Sequence, residues 1–140
     1  MFRFFAAFVL CIWGSTSAFA LPETAVVLNG IDNTASTARL DLNTSQLGVL
    51  NFPSFPALGT LEGNYVYISL SGANEVRVYD AMNLAPVATL PTGAGTNPYA
   101  VVGDGSRNVF VTLSETNELV RFDASGAETG RVSVGQWPQG

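Results

Sequence analysis

Aromatic and β-branched residues fill most apolar positions of Tyr65–Ala81, whose sequence is YVYISLSGANEVRVYDA. Such residues favour β-strands. The apolar pattern is interrupted at Gly72–Asn74, where glycine and asparagine favour a turn. The stretch therefore predicts two antiparallel strands, Tyr65–Leu70 and Glu75–Asp80, joined by a short turn.

The same pattern returns 43 residues later as Asn108–Ala124, and the two stretches align without gaps. Seven of their 17 positions are identical, and several others keep an aromatic, β-branched or hydroxyl side chain. The identical pairs are Val66/Val109, Leu70/Leu113, Ser71/Ser114, Asn74/Asn117, Glu75/Glu118, Asp80/Asp123 and Ala81/Ala124. A repeat of about 40–45 residues made of short strands is typical of β-propeller blades. The predicted fold class is therefore all-β, with four-stranded antiparallel blades; the alternative is a β-sandwich whose hairpins are similar by chance.

The segments around these hairpins complete the predicted repeats. Outside the N-terminus, no window has a helical period. The predicted organisation is a degenerate partial blade over 21–52, full blades over 57–91 and 98–134, and the start of another repeat at 135–140. The strands expected in the partial blade are Thr24–Leu28, Ser36–Leu42 and Gln46–Phe52.

Residues 1–20 have the features of a secretory signal peptide. Arg3 supplies the positive charge, Phe4–Trp13 is an apolar run too short to span a bilayer, and Ala18–Ala20 is a cleavage site of the A-x-A type. The chain is therefore expected to be exported to the periplasm, the cell surface or the extracellular space. Cys11 is the one cysteine, so the mature chain is expected to form no disulfide.

The net negative charge of the chain argues against partners that are themselves strongly negative. The chain has 11 acidic and six basic residues, with a formal net charge of −5. Nucleic acid and anionic membrane surfaces are therefore not expected as partners, and no membrane insertion is expected after signal removal.

The order of residues in the repeat resembles the YVTN-type β-propeller repeat proteins. Tyr65–Ser69, Asn74–Asp80 and Val87–Gly93 follow that family's succession of strands, and Val109–Thr112 with Asn117–Asp123 follow it again. The resemblance implies a closed ring of around seven blades, whereas this chain has material for fewer than three. We therefore expect a fragment of a larger propeller; the alternative is a small protein whose copies assemble into a ring.

Several catalytic chemistries are excluded within this chain. It has no histidine, so it contains no Ser-His-Asp or Cys-His system, and after signal removal it has neither histidine nor cysteine for zinc. It has no lysine and hence no phosphate-binding GxxxxGK[ST] loop. No catalytic residue, cofactor or metal is predicted. For Asp104–Asn108, a hairpin turn is the preferred explanation over a calcium site.

The remaining polar and aromatic residues of the repeat have structural interpretations. Asp80 and Asp123 are expected to cap the turns that follow them, and Asn74 and Asn117 to adopt a positive φ. The aromatic side chains are expected to pack between blades. These aromatics are Tyr67, Tyr79, Phe110 and Phe122.

The loops that lead into the first strand of a blade are the preferred binding region. In propellers such loops lie near the central channel, and binding groups are concentrated on loops. The ligand-binding candidates are Asn97, Tyr99 and Trp137. The predicted function is an exported binding or scaffold module for a protein, glycan or small ligand. The alternatives are a lactonase-like hydrolase with catalytic residues in other blades, and a surface-layer or adhesion component.

Overall fold

The computed structural model describes residues 8–11, 24–39 and 45–140. Twelve strands form three separate four-stranded antiparallel sheets in these residues, as the all-β propeller prediction requires. The first blade is β1 (Phe8–Cys11), β2 (Thr24–Asn29), β3 (Thr34–Arg39) and β4 (Ser45–Asn51). The second is β5 (Pro56–Glu62), β6 (Tyr65–Leu70), β7 (Glu75–Asp80) and β8 (Pro86–Pro91). The third is β9 (Pro98–Gly103), β10 (Val109–Leu113), β11 (Glu118–Phe122) and β12 (Glu128–Ser133).

The strands follow one another in space in their order along the chain within every blade. The predicted strands Tyr65–Leu70 and Glu75–Asp80 are confirmed with the same bounds. The two repeated hairpins lie in different sheets, β6–β7 in the second blade and β10–β11 in the third. The single helical element among the described residues is a 3₁₀ turn at Ser71–Ala73. No helix in the described residues is long and apolar enough to cross a membrane.

The first blade differs from the prediction in its first strand. The sequence predicts three strands there, but β1 pairs with β2 and completes a four-stranded sheet, with Phe8 opposite Leu28 and Cys11 opposite Ala25. The described residues therefore form three four-stranded sheets, where the sequence predicts two full blades and a partial one. Apolar and aromatic residues favour strands, so this segment of the predicted signal peptide can pair with the open edge of β2. The rest of that signal, including its cleavage site, lies outside the described residues.

The hydrophobic core lies between the blades. Val66, Ile68, Leu70 and Tyr79 of the second blade pack against the first blade, where Tyr79 meets Phe52 edge to face at 6.3 Å between ring centroids. A second cluster joins the second and third blades. It contains Tyr67, Val76, Val78, Leu90, Val101, Val109, Val111, Leu113, Val120 and Phe122. The prediction that the aromatics pack between blades is confirmed for Tyr67, Tyr79 and Phe122.

A β-bulge recurs in the first strand of the second and third blades. Ala57 and Leu58 together oppose Ser69, and Tyr99 and Ala100 together oppose Thr112. The Leu58 N–H donates to the Ser69 hydroxyl at 3.1 Å, and this hydroxyl lies 2.9 Å from the Leu58 carbonyl oxygen. A hydroxyl group thus takes the place of the ladder hydrogen bonds that the bulge removes.

The third blade leaves one apolar face uncovered. Leu90 of β8 and Val132 of β12 occupy equivalent positions, because they pair with Val76 and Leu119 respectively. Leu90 is 3% exposed under the third blade, whereas Val132 is 57% exposed. The uncovered face has the character of an inter-blade surface, since its counterpart on the second blade is one.

Candidate functional site

A residue followed by proline occurs at three equivalent places along the chain: before the first strand of the second blade, before the first strand of the third blade, and after the third blade. The three pairs are Phe55-Pro56, Asn97-Pro98 and Trp137-Pro138. We call the residues before proline, Phe55, Asn97 and Trp137, the strand-entry rim. Proline fixes φ and lacks an N–H, so it suits the first position of an edge strand. The rim is therefore a repeated feature of the fold.

Asparagine side chains hold two of these loops. Asn74 and Asn117 have φ values of 56° and 57°, which confirms the expected positive φ. The Asn74 Oδ1 accepts the N–H of Asn97 at 3.0 Å, and the Asn117 Oδ1 accepts the N–H of Trp137 at 2.9 Å. Asn97 and Trp137 also have positive φ, 52° and 53°. Asn74 thus joins the turn of the second blade to the loop that enters the third, and Asn117 makes the equivalent bond to the segment that follows the third blade.

The first blade has the same turn without this side-chain bond. Asn33 has a φ of 54°, and its carbonyl accepts the Phe52 N–H at 2.8 Å, as the carbonyl of Asn74 does from Thr92. Its Oδ1 is buried and has no hydrogen-bond partner among the described residues. Phe55 lacks the positive φ of Asn97 and Trp137.

The three predicted ligand-binding residues have different environments. The Asn97 Nδ2 donates to the Ser114 Oγ at 2.9 Å, so this half-buried side chain takes part in the framework. Tyr99 is half-buried in β9, and its carbonyl accepts the Ser69 hydroxyl. Trp137 is 61% exposed. Asn97 and Tyr99 share one loop–strand junction, whereas Trp137 lies one repeat further on. Trp137 therefore offers the most surface to a ligand.

Phe55 belongs to the rim although sequence reasoning missed it. It is 55% exposed, and its carbonyl accepts the Ser71 N–H at 2.9 Å. The equivalent bond in the third blade runs from the Ser114 N–H to the Asn97 carbonyl at 3.1 Å. The recurring residue–proline pair is the signal that predicts this position.

Asp80 and Asp123 lie at the opposite ends of the strands from the rim and stabilise turns. The Asp80 Oδ1 accepts the N–H groups of Met82 and Asn83, at 2.9 and 3.1 Å. The Asp123 Oδ1 accepts the Ser125 N–H at 2.8 Å and the Ala127 N–H at 3.1 Å. These bonds confirm the predicted caps.

The Asp104 carboxylate also belongs to a turn. It accepts the Ser106 N–H at 2.8 Å and the Asn108 Nδ2–H at 2.7 Å, which confirms the hairpin-turn explanation. Among the described residues, no group of three histidine, cysteine or acidic side chains is placed to hold a metal ion.

A cleft between the second and third blades opens beside these turns. It has a volume of about 220 Å³. Its lining residues include Tyr65, Tyr67, Val78, Leu90 and Arg107. The Arg107 guanidinium lies over the Tyr65 ring, 4.6 Å from the centroid. Sequence reasoning missed this site, because Tyr65 and Arg107 come together only when the two blades pack.

We expect the turn asparagines to tolerate glycine better than alanine. In Asn74→Gly the left-handed backbone remains easy to adopt and only the bond to Asn97 is lost, costing about 1 kcal/mol. Asn74→Ala loses that bond and adds the left-handed penalty, giving about 2–3 kcal/mol in total. Urea unfolding of both variants measures the difference. Equal losses would contradict a role for the positive φ.

Protonation of Asp123 should contribute to the loss of stability at acidic pH. Hydrogen bonds from the Ser125 side chain and backbone and the Ala127 N–H lower the Asp123 pKa below its ordinary value of 3.8. The carboxylate therefore stabilises the fold above the unfolded-state pKa, and this contribution disappears as pH falls through the lower, folded-state pKa. We expect stability to fall less steeply below about pH 4 in Asp123→Asn than in the unmodified protein. Denaturant unfolding at several pH values measures this, and parallel stability curves would contradict it.

No family model matches this chain, and no curated protein matches its sequence. Solved β-propeller structures do match. They include virginiamycin B lyase from Staphylococcus aureus, with a TM-score of 0.67 and 13% identity over 86% of this chain and 40% of that one. The hydrazine synthase of Kuenenia stuttgartiensis matches with a TM-score of 0.70 and 12% identity, over 81% of this chain and 33% of that one. The dihydro-heme d1 dehydrogenase NirN, in complex with DHE, matches with a TM-score of 0.66 and 23% identity, over 88% of this chain and 26% of that one.

These similarities show the propeller fold. The chain spans well under half the length of the three structures. None of them is 25% identical to it, so their activities do not transfer to it. Membership of the YVTN-type repeat family stays a prediction, as does export.

Proposed function

We propose that the chain is an exported β-propeller binding module that presents its strand-entry rim to a protein, glycan or small ligand. The exposure of Trp137 on a fixed backbone carries this proposal. The backbone N–H of Trp137 donates to the Asn117 Oδ1, while the residue remains 61% exposed. A large aromatic side chain that is exposed and already positioned loses little conformational entropy on binding.

Intrinsic fluorescence offers a direct test. Trp13 and Trp137 are the two tryptophans, so a chain beginning at Leu21 has Trp137 alone. We expect a ligand from a glycan or peptide library to shift its emission. Because Trp137→Ala leaves no tryptophan in that chain, calorimetry measures the variant, and we expect its binding to be weaker by about tenfold or more. Val87→Ala is the control, because Val87 is exposed on β8, away from the rim. Unchanged binding by Trp137→Ala would overturn the role of the rim.

The enzymatic alternative is supported by the names of two structural neighbours, a lyase and a dehydrogenase. This chain has no histidine, so a histidine-dependent hydrolase would take that residue from other blades. Turnover of lactone and ester panels by the purified protein tests this alternative. Activity that survives substitution of the rim would favour a hydrolase over a binding module.

We also propose that a further blade packs on the third blade. Leu90 of the second blade is buried by the third blade, whereas Val132, at the equivalent position of the third blade, is exposed. A further blade would cover Val132 as the third blade covers Leu90. The extra blade belongs either to a longer polypeptide or to another copy of the chain. Mass spectrometry of the native gene product, with its mass in solution, distinguishes these cases. A stable monomer of 140 residues or fewer would overturn the proposal.

A further inference from the structure

The inter-blade cleft has a fixed cation at its mouth. Arg107 has a φ of 67°, and its N–H donates to the Glu62 Oε1 of the preceding blade at 2.9 Å. Its guanidinium stacks on Tyr65. Among the described residues this guanidinium forms no ion pair, and its one hydrogen bond there is a long one of 3.4 Å to the Ala124 carbonyl. Most of its N–H groups are therefore available to a ligand.

A tyrosine hydroxyl supplies a second donor. Tyr67 is 5% exposed and lines the cleft, and no described residue forms a hydrogen bond with its hydroxyl. Burial raises the Tyr67 pKa above its ordinary value of 10.0, partly opposed by Arg107. The hydroxyl is thus protonated at neutral pH and able to donate.

The other lining residues and the volume of the cleft limit the size and charge of a ligand that could bind to Arg107 and Tyr67. Val78 and Leu90 are buried apolar residues in its lining, suited to a hydrocarbon group. The volume of about 220 Å³ lies below the range of pockets for drug-sized ligands. Asp123 also lines the cleft, and the Glu62 charge acts on Tyr67. Two nearby carboxylates disfavour a ligand with more than one negative charge.

We propose that this cleft binds a small monocarboxylate with a short apolar or aromatic tail. Its carboxylate takes hydrogen bonds from Arg107 and Tyr67, and its tail contacts Val78 and Leu90. Arginine suits this role because its planar group can donate two parallel hydrogen bonds to a carboxylate. The site lies at the opposite ends of the strands from the rim and does not depend on the rim ligand.

Phenylacetate and its neutral analogue phenylacetamide form the matched probes. We expect calorimetry or NMR titration to show saturable phenylacetate binding at millimolar concentrations and at least about tenfold weaker phenylacetamide binding. Arg107→Asn should lower phenylacetate affinity about tenfold, since asparagine tolerates the left-handed backbone but lacks the charge. Tyr67→Phe should lower it severalfold, and Val49→Ala, at an exposed position of the first blade, should leave it unchanged. Urea midpoints identify any variant that fails to fold.

Three results would overturn the proposal. The first is equal binding of the acid and the amide, and the second is full displacement of phenylacetate by inorganic phosphate at equal concentration. The third is the absence of saturable binding by folded protein. If Arg107→Asn is destabilised, Arg107→Lys provides the second measurement, because it keeps the charge and loses the planar donor group. We expect Arg107→Lys to bind phenylacetate less tightly than the unmodified protein does, but more tightly than the unmodified protein binds phenylacetamide. An unchanged affinity for phenylacetate would contradict the paired hydrogen bonds.

Discussion

Replacing Phe122 by alanine should lower the free energy of unfolding by about 3–5 kcal/mol. Phe122 is 1% exposed and belongs to the cluster between the second and third blades. Its removal leaves a cavity at the contact that joins two separate sheets, where no backbone ladder compensates. The loss is comparable with the whole stability of many domains, about 5–15 kcal/mol.

Phe55→Ala is the matched control for this substitution. Phe55 is 55% exposed, so we expect its truncation to cost less than about 1 kcal/mol. Urea unfolding of both variants gives the comparison, with Phe122→Leu as a milder change if the alanine variant does not fold. Similar losses at the two positions would show that the blades do not depend on this core. Hydrogen exchange should show increased opening in β5 and β9, where the blades meet.

The strand pattern was predictable because each repeat encodes it locally. Tyr65–Leu70 and Glu75–Asp80 have the predicted bounds, since aromatic and β-branched residues favour the strands and glycine and asparagine mark the turn between them. The pairing of Phe8–Cys11 was not predictable, because the same apolar run fits a signal peptide. A local composition that suits two roles does not distinguish between them.

The candidate sites were predictable only where they repeat. Asn97 and Trp137 precede prolines at equivalent positions, and the sequence alone identifies both. The cleft has no such signal. Arg107 and Glu62 are 45 residues apart, and their hydrogen bond exists only because two blades pack side by side. Contacts between blades depend on the angle between sheets, which no single repeat specifies.

Removal of the Ser69 hydroxyl, which lies opposite the bulge of the second blade, should destabilise the fold. Ser69 is fully buried; its Oγ accepts the Leu58 N–H, and its single hydroxyl hydrogen is shared between the carbonyl oxygens of Leu58 and Tyr99. Ser69→Ala leaves these backbone groups without that partner, at about 1–3 kcal/mol for each buried group left unsatisfied. We expect a total loss of roughly 3 kcal/mol, far above that of the exposed Ser106→Ala.

Thr112 provides an independent check of the same mechanism in the next blade. Its Oγ1 accepts the Ala100 N–H at 3.0 Å, so Thr112→Val removes one bond at nearly constant volume and should cost about 1–2 kcal/mol. Thr112→Ser keeps the hydroxyl and should retain most of the stability. If valine were as stable as serine, the hydroxyl would not support the bulge, and its recurrence would need another cause. If Thr112→Ser preserves stability and Thr112→Val does not, a hydrogen bond between a side-chain hydroxyl and the backbone supports the bulge in both blades. The hydroxyl then recurs at this position because the bulged strand requires it.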